Sequence, residues 1–301
     1  MRAHAKVNLD LRVLGVRADG YHELRTVFQS IALHDALVCS RKAGPFVLQC
    51  RTPGLPLDAT NTIWRAAAAL WTALGREGDV RDTVVRIEKH VPIEAGLGGG
   101  SADAAAALLA LARLWTGGRT PDPAMPALLR EVAAGIGADV PFCLFGGTAL
   151  GLGRGEEIYP LVDLPRHFLV IALPPFGVST REAYAWYDDD RAAGLRDDVR
   201  EQQLLPVPWP SRAAQMINDL EPPVVRRHPE IHTVKMHLKE AGAIAAAMTG
   251  SGSAVFGLFR TRPMAERAAK SLTRGGMRAL VTHTLTRAAF ERSSRPVARR
   301  P

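Results

Sequence analysis

The residues best suited to chemistry in this sequence are four glycines within five positions, in the stretch PIEAGLGGGS at 92–101. A β-branched stretch at 83–91 precedes them and an Ala- and Leu-rich stretch at 102–115 follows, which predicts a strand and then a helix. Glycine lets the backbone turn with positive φ and approach an anion, and a helix N-terminus presents free N–H groups. The pattern therefore predicts a phosphate-binding loop, with a glycine-rich turn that only caps a buried helix as the alternative.

This loop differs from the common mononucleotide and dinucleotide loops. A Walker-type loop has a lysine after its glycines, whereas Ser101 stands there in this chain. The glycine spacing also differs from the G-x-G-x-x-G of a dinucleotide-binding fingerprint. The positive charge that balances a bound phosphate must therefore come from elsewhere in the chain. Ser101 lies at the predicted junction of loop and helix, where its hydroxyl could cap the helix or contact phosphate or a metal ion.

Three polar side chains stand at positions where they could complete such a site. Residues 5–14 alternate apolar and polar types, which predicts a half-buried strand with Lys6 and Asn8 side by side on its polar face. A solvated strand lysine is the alternative for Lys6. Asp139 lies between a glycine turn and a proline, where it could cap a helix or hold a carboxylate in a cleft.

Two turns could contact other parts of a ligand. An Asp-Gly turn at 19–20 is followed by Tyr21 and His22, which could stack on a planar ligand or form a hairpin with a buried tyrosine. The stretch TGSGS at 249–253 joins two predicted strands and could contact an anion. Taken alone, that second stretch fits a flexible hairpin turn better.

Length and composition describe an ordinary globular protein of two domains. The chain has 301 residues, 47% of them hydrophobic and 23% charged, and no apolar run reaches the roughly 18 residues of a membrane span. The N-terminus has no apolar signal region, and three cysteines without C-x-x-C spacing indicate free thiols in a reducing cytoplasm. The net charge of +8 fits nucleic acid or phosphorylated substrates, and the 6% of aromatic residues are too few for typical interleaved nucleic-acid binding.

Secondary-structure patterns along the rest of the chain predict two halves. The first half has predicted strands at 26–39 and 46–50, helices at 61–74 and 127–134, and a domain junction near 153–156. The second half predicts a strand–helix–strand–strand–helix–strand arrangement with helices at 211–220 and 224–241. The acidic and then proline-rich composition of residues 188–210 predicts a segment that extends over the surface. The composition of the arginine-rich end, 287–301, predicts a solvated, frayed segment.

Several of these segments together resemble the GHMP kinases, which phosphorylate small alcohols. The matching stretches are AKVNL at 5–9, RADGYH at 17–22, PIEAGLGGGS at 92–101, GADVP at 137–141, NDLE at 218–221 and GSGSAVF at 250–256. Within the family, the likeness is greatest to members that act on a cytidine-diphosphate-linked methylerythritol in non-mevalonate isoprenoid (terpenoid) biosynthesis. The chain departs from the family at His4, which usually is proline, and at Ser253, which is proline in many relatives.

The resemblance implies an α+β fold of two domains. An ATP-binding domain like ribosomal protein S5 would span 1–154, a ferredoxin-like substrate-side domain would span 155–291, and 292–301 would form a disordered tail. ATP would bind in the cleft between the domains. The implied reaction transfers the γ-phosphoryl group of ATP to the 2-hydroxyl of the cytidine-diphosphate-linked methylerythritol, with Mg²⁺ as the expected ion.

The resemblance also implies roles for individual residues. Asp139 would accept the hydroxyl proton with Lys6 as its charged partner, and Ser101 is the candidate metal ligand. The implied substrate contacts are Asn8, Tyr21 stacked on cytosine, His22 on the polar edge of cytosine, and Thr180. The implied nucleotide contacts are Asn61, Lys89, Pro92, Ile93, Glu94, Ala95, Gly96, Leu97, Gly98, Gly99, Gly100, Ser101 and Ala102.

Two alternatives stay open on the sequence. One is another GHMP kinase, acting on homoserine or mevalonate, and the other is a basic nucleic-acid-binding protein. The resemblance favours a small-molecule substrate, with no nucleic-acid or membrane partner, in a cytoplasmic protein that is a monomer or a weak homodimer.

Overall fold

The computed structural model describes residues 1–117, 123–195 and 216–295, which form two β-sheets with helices packed on them. This mixture of sheets and helices confirms the predicted α+β class. In those three ranges, no helix combines the length and the apolar character needed to cross a membrane.

The first sheet has six strands, built around a long central one. Its strands are β1 (Arg2–Val16), β2 (His22–Pro45), β3 (Val47–Cys50), β4 (Arg81–Glu88), β5 (Thr148–Leu152) and β6 (Glu157–Pro160). Strand β2 pairs with β1, β4 and β5, and these pairings are antiparallel, whereas β3 and β4 are parallel. The helices of this half are α1 (Thr62–Ala73), α2 (Gly99–Trp115), α3 (Met125–Ile136) and α4 (Val140–Phe145).

Helices α1 and α2 show how local sequence sets the elements around the glycine loop. Asn61 caps α1, because its side-chain oxygen accepts a hydrogen bond of 2.8 Å from the backbone N–H of Ile63. Helix α2 is alanine-rich, so α1, β1 and β2 can approach it closely. The helix is therefore buried from Ala102 to Leu108, while its first three residues, 99–101, line a cavity.

The second sheet has four antiparallel strands. They are β7 (Phe168–Leu173), β8 (Ala245–Met248), β9 (Val255–Phe259) and β10 (Arg278–His283), in the spatial order β10-β7-β9-β8. The associated helices are α5 (Thr180–Ala192), α6 (Glu221–Arg227), α7 (Glu230–Glu240) and α8 (Arg262–Arg274), and helix α9 (Arg287–Ser294) follows the last strand. Counted along this half of the chain, the strands lie in the order fourth, first, third and second. This is the order of a ferredoxin-like sheet, and it agrees with the prediction.

A short segment of the second half ties it to β1. The backbone N–H of Leu11 donates to the carbonyl of Ile217 (2.8 Å), and the N–H of Asp219 donates back to the carbonyl of Leu11 (2.9 Å). The Asp219 carboxylate also accepts from the N–H of Val13 at 3.0 Å. The NDLE stretch at 218–221 therefore links the two halves of the chain.

The strand predicted over residues 5–14 is present, but the prediction of one solvated face is wrong. Lys6 and Asn8 are each 3% exposed, because α2 and the segment before it cover that face of β1. Register shifts between His4 and Lys6 and between Asn8 and Asp10 bracket this part of the strand. Between these irregularities the two side chains share one face, as the alternation predicted.

Some predicted helix boundaries need correction. Helix α2 begins at Gly99, inside the glycine stretch, and not at residue 102. The helix predicted over 224–241 is two helices, because the chain turns at His228 and Pro229. Residues 188–192, predicted as surface excursion, continue α5. Of the helix predicted over 211–220, residues 216–220 form an isolated bridge and a turn, and 211–215 lie outside the described residues.

The predicted frayed end is helical as far as Ser294 and packs on the first half of the chain. Phe290 of α9 is 5% exposed, and the Ser293 hydroxyl lies 2.8 Å from Nε2 of His4. The rest of the predicted tail, 296–301, lies outside the described residues. The division into domains at 154 stays a prediction, although β6 pairs with β5 and so extends the first sheet to Pro160.

Candidate active site

A cavity of about 1160 Å³ is lined by segments from both halves of the chain. The glycine loop, residues 96–101, lies in its wall, together with residues of β1 and the start of α5. Of the residues that the sequence assigns to catalysis, nucleotide, substrate or metal, all line this cavity except Ala102, which is 2% exposed. The structure therefore brings these residues to one place, while their individual roles stay predictions.

The glycine loop lies directly against its neighbours at two glycines. Gly98 has φ +67°, and a Cβ there would lie 2.9 Å from both Cγ and Cε of Lys6. Gly96 has φ +70°, and a Cβ there would lie 2.1 Å from the carbonyl oxygen of Thr249. A side chain is therefore excluded at both positions. Because Gly98 is also the N-cap of α2, no side chain covers the start of that helix.

Lys6 and Asp139 form an ion pair beside this loop. Lys6 Nζ lies 3.2 Å from Asp139 Oδ2, and it also donates to Asn8 Oδ1 (2.8 Å) and to the carbonyl of Gly96 (3.1 Å). The lysine side chain is 4% exposed, whereas that of Asp139 is 30% exposed. The pair thus has a buried cation and a carboxylate that faces the cavity.

The Asp139 carboxylate does not cap the helix that follows it. Asp139 is the N-cap residue of α4, but its side chain makes no capping hydrogen bond. Pro141 at the second position of α4 removes one N–H that a cap would otherwise satisfy. The helix-cap alternative raised by the sequence is therefore not what this side chain does.

Asn8 is held by the protein on both ends of its amide. Its Nδ2 donates to Thr26 Oγ1 at 2.8 Å, and its Oδ1 accepts from Lys6. Its backbone N–H donates to Thr249 Oγ1 at 3.0 Å. Asn8 therefore fixes the direction of the Lys6 ammonium, and the predicted substrate contact stays a prediction.

Lys89 lies beneath the glycine loop in a buried group with two carboxylates. Its Nζ is 2.5 Å from Asp35 Oδ2 and 2.8 Å from Asp103 Oδ2, and all three side chains are at most 4% exposed. Asp35 also accepts from the backbone N–H of His90 and Val91. Burial raises the pKa of Asp103 to about 8, with Lys89 opposing the shift and Asp35 adding to it. The predicted nucleotide contact of Lys89 stays a prediction, since its amine is already paired on both sides.

The sequence predicts that Asn61 and Ser101 contact the nucleotide and that Ser101 also binds the metal ion. Asn61 uses both ends of its amide within the protein, since it caps α1 and donates to the carbonyl of Pro56 at 2.7 Å. Ser101 lies in the first turn of α2 and lines the cavity. Among the described residues, no group of three or more His, Cys, Asp or Glu could hold a metal ion. Any ion at this site would therefore take most of its ligands from other sources.

The Tyr21–His22 turn forms the far end of the cavity with aromatic residues of α5. Tyr21 is 58% exposed, and the guanidinium of Arg154 lies 5.1 Å from its ring centroid. His22 stacks on Tyr184 with 4.6 Å between ring centroids, and its Nε2 is 2.9 Å from Asp188 Oδ1. The buried-tyrosine alternative for Tyr21 is therefore wrong, and the exposed ring is free to contact a ligand.

Sequence reasoning missed Tyr184, Asp188 and Arg154, which all line the cavity. The first two follow Thr180 at intervals of four residues, so they share a face of α5, and that spacing was readable in the sequence. Burial raises the pKa of the Tyr184 phenol, and the Asp139 carboxylate, which lines the same cavity, adds to the shift.

Thr180 and the second glycine loop, residues 249–253, meet at the cavity wall. The Thr180 hydroxyl lies 3.3 Å from the Ser251 hydroxyl, and Asn218 Nδ2 donates to the carbonyl of Gly250 at 2.8 Å. This loop also contacts the first glycine loop through Gly96. It is therefore more than a free hairpin turn, because side chains from several segments hold it in place.

Two family models match the chain. The model described as GHMP kinases N terminal domain matches residues 61–147, and the model described as GHMP kinases C terminal matches residues 208–276. The first range contains the glycine loop and Asp139, and the second contains the second glycine loop.

Individual relatives match over nearly the whole chain. The 4-diphosphocytidyl-2-C-methyl-D-erythritol kinase of Moorella thermoacetica is 44% identical over 94% of this chain and 98% of the relative. The enzyme of the same name from Pelotomaculum thermopropionicum is 43% identical over 94% and 96%. A crystal structure of 4-(cytidine 5'-diphospho)-2C-methyl-D-erythritol kinase superposes with a TM-score of 0.74 at 34% identity, covering 94% of this chain and 98% of that one. The chain therefore belongs to the GHMP kinases, in the family of these cytidine-diphosphate-linked methylerythritol kinases.

Proposed function

We propose that this chain is an ATP-dependent kinase that phosphorylates the 2-hydroxyl of 4-diphosphocytidyl-2-C-methyl-D-erythritol in non-mevalonate isoprenoid biosynthesis. The observation that carries the proposal is the Lys6–Asp139 ion pair, 3.2 Å long, in the cavity beside the glycine loop. Relatives whose names state this kinase activity, at 43% and 44% identity, support the same substrate.

Asp139 is the group proposed to accept the proton of the substrate hydroxyl. Its carboxylate faces the cavity and makes no capping bond, so it can reach a bound alcohol. A carboxylate is a weak base for an alcohol, so the proton moves late, as phosphoryl transfer makes the hydroxyl acidic. As the bond from the substrate oxygen to the γ-phosphorus forms and the bond from the γ-phosphorus to its bridging oxygen breaks, the proton passes to Asp139 and ADP leaves.

Lys6 supplies the positive charge that the glycine loop itself lacks. It reaches the loop from β1, where Asn8 and the Gly96 carbonyl fix the direction of its ammonium. Because the ammonium is buried and already oriented, it can stabilise charge on the transferred phosphoryl group without reorganising. The close fit of Gly98 on Lys6 keeps the cation and the loop at one fixed separation.

The glycine loop and the start of α2 fit the phosphates of ATP. The loop has no side chains at its closest points, and α2 directs its positive end toward the cavity. Mg²⁺, when bound to ATP, would neutralise part of the phosphate charge. Ser101 is the candidate protein ligand, and phosphate oxygens and water would fill the remaining positions of the ion.

Tyr21 and His22 are proposed to bind the cytosine of the substrate. The exposed Tyr21 ring, with Arg154 stacked on it, presents a flat face to the cavity. His22 is oriented by Asp188 and Tyr184, so one edge of its ring has a defined direction. Homoserine and mevalonate have no flat ring that could use these residues.

The reaction is proposed to take place in the cytoplasm, in a monomer or weak homodimer. The substrate and ATP are both water-soluble, and Cys39, Cys50 and Cys143 are free thiols, as expected in a reducing compartment.

The test is a coupled ADP-release assay with a panel of alcohols. The panel consists of 4-diphosphocytidyl-2-C-methyl-D-erythritol, homoserine and mevalonate, each with ATP and Mg²⁺. We expect kcat/KM for the cytidine-linked alcohol to exceed that for the other two by at least about 100-fold, since a missing ring leaves the stacking and polar contacts unused. Equal turnover of homoserine or mevalonate would contradict the proposal.

A pair of tyrosine variants separates base recognition from catalysis. Tyr21→Leu is expected to lower kcat/KM for the cytidine-linked alcohol about tenfold, the effect of losing a stacking contact of ~1–1.5 kcal/mol, with the KM for ATP unchanged. The matched control is Tyr159→Leu on β6, which removes a similarly exposed tyrosine outside the cavity and should change neither.

A further inference from the structure

A second cavity, of about 510 Å³, opens where the two sheets meet and shares no lining residue with the candidate active site. Residues 32–34 of β2 form one side, and the end of β10 with Phe168 of β7 forms the other. His90, which follows the paired Lys89 directly, also lines it. Lys89 lines the first cavity and His90 lines the second, so the same short segment separates the two.

Basic side chains dominate the lining of this second cavity. Two arginines, Arg166 and Arg262, and three histidines, His34, His90 and His283, contribute to it. No Asp or Glu is among the described residues that line it. Glu266 and Glu88 lie just outside the lining, beside Arg262 and His90. They balance part of the positive charge, and the described lining itself, with two guanidiniums and no carboxylate, favours an anion.

The two guanidiniums act on the same part of the cavity. Arg166, Arg262 and His283 line the same cavity. Burial lowers the pKa of His283, and the charges of Arg166 and Arg262 lower it further. Arg166 lies over the ring of Phe168, with 5.3 Å to its centroid, so its long side chain is directed along the cavity wall. Arg262 pairs with Glu266 one turn along α8, at 2.8 Å, which leaves the other guanidinium N–H groups available.

The histidines add ring nitrogens whose direction is set by the fold. His34 Nδ1 donates to the carbonyl of Ala32 at 2.7 Å, so Nε2 accepts in the neutral ring and donates to an anion only when the ring is protonated. His283 is paired with β7 through its backbone and stands beside Phe168. An anion in the cavity would therefore meet forked guanidinium donors and ring nitrogens together.

We propose that this cavity is a second binding site, for a small anion that carries phosphate groups, with Arg166 and Arg262 as the residues that hold it. Phosphate fits better than a carboxylate because its oxygens are distributed tetrahedrally and can accept from two separate guanidinium forks and an imidazole at once. The proposal does not depend on the reaction catalysed in the first cavity. Whether the first cavity binds ATP does not change the anion binding expected in the second cavity.

The test measures binding of inorganic pyrophosphate to the full chain by titration calorimetry at low ionic strength. The first cavity is saturated beforehand with a non-hydrolysable ATP analogue, Mg²⁺ and 4-diphosphocytidyl-2-C-methyl-D-erythritol, so that neither its nucleotide part nor its substrate part can bind pyrophosphate. We expect saturable binding of one pyrophosphate per chain, and at least a tenfold weaker affinity in the double variant Arg166→Ala/Arg262→Ala. The absence of saturable binding to the wild-type chain would overturn the proposal.

The matched control is the double variant Lys270→Ala/Arg274→Ala, which removes the same charge from α8 outside the cavity. Its affinity for pyrophosphate should equal that of the wild type within about twofold. An equal loss of affinity in both double variants would show that only the overall charge matters, and it would overturn the proposed site. Malonate tests the chemical class, since binding as tight as that of pyrophosphate would contradict a phosphate site.

A measurement on the wild-type chain remains if the arginine variant does not fold. Proton NMR can follow the pKa of His283, which a bound anion raises because it stabilises the protonated imidazole. We expect pyrophosphate, added with the first cavity saturated, to raise that pKa by at least half a unit. An unchanged His283 pKa under saturating pyrophosphate would overturn the proposal.

Discussion

Two lysines contact the glycine-loop region, and their surroundings differ. Lys6 pairs with one carboxylate, Asp139, whose side chain is 30% exposed to the cavity. Lys89 pairs with two carboxylates, Asp35 and Asp103, whose side chains are 0% and 3% exposed. The lysines themselves are equally buried, at 4%.

The difference lies in what the carboxylates can reach. Asp139 can meet a substrate because one side of it faces the cavity, so we interpret the Lys6–Asp139 pair as catalytic machinery. Asp35 and Asp103 are enclosed, and Asp35 fixes the backbone at 90–91 that leads into the loop. We therefore interpret Lys89 as a positioning residue, which joins β2 to α2 beneath the loop. Burial of a charge alone does not distinguish the two roles.

The largest effect is expected from Asp139→Asn. Removing the proton acceptor should lower kcat for the cytidine-linked alcohol by about 10²–10⁴-fold. ATP affinity should stay near wild type, because Asp139 lies outside the glycine loop. The free energy of unfolding should fall by about 1–3 kcal/mol, because the buried Lys6 ammonium loses its carboxylate and keeps only two neutral acceptors. Single-turnover ADP release, nucleotide titration and urea unfolding measure these three quantities. Asp79→Asn, at an exposed surface carboxylate, is the control, and full turnover in Asp139→Asn would remove the catalytic assignment.

The comparison is sharpest when the same substitution is made at both lysines. Lys89→Met leaves two enclosed carboxylates without their cation, so the free energy of unfolding should fall by about 3–5 kcal/mol. Lys6→Met leaves Asp139, which water can reach, and removes the donor to Asn8 Oδ1 and the Gly96 carbonyl, so the fall should be smaller, about 1–2 kcal/mol. Turnover should instead fall about 100-fold or more in Lys6→Met. Urea unfolding and ADP release on both variants test this, and equal stability losses would contradict the division of roles.

The smallest effect concerns pH and Asp103. Its pKa of about 8 in the folded protein lies above the unfolded value near 3.8, so between those values the folded chain holds a proton that the unfolded chain has lost. The contribution of Asp103 to the free energy of unfolding therefore decreases as pH rises from about 4 to 8. Asp103→Asn removes the titration, so the free energy of unfolding of the variant, relative to wild type, should increase with pH over that window, by at most about 1.4 kcal/mol per pH unit. Urea unfolding at pH 5, 6, 7 and 8 measures the slope, and a constant difference would show that Asp103 does not titrate there.

Much of the candidate site could be predicted from the sequence because its parts are local patterns. Glycine spacing between a β-branched and an alanine-rich stretch predicted the loop, and alternation placed Lys6 and Asn8 on one face of β1. Both signals depend on backbone geometry within a few residues. Family likeness, carried by short motifs, supplied Asp139 and the Tyr21–His22 turn.

Only the tertiary structure decided which of these residues meet and how deeply they are buried. Tertiary packing, in this case of α4 against β1 and α2, brings Lys6 within 3.2 Å of Asp139 although they are far apart in sequence. It also gives Lys89 its two enclosed carboxylates and assembles Arg166, Arg262 and His283 around a second cavity. Local sequence could not reveal these contacts, because burial and charge pairing depend on which distant segments fold against each other. The residue types were thus set by the sequence, and their roles by the packing of the two halves.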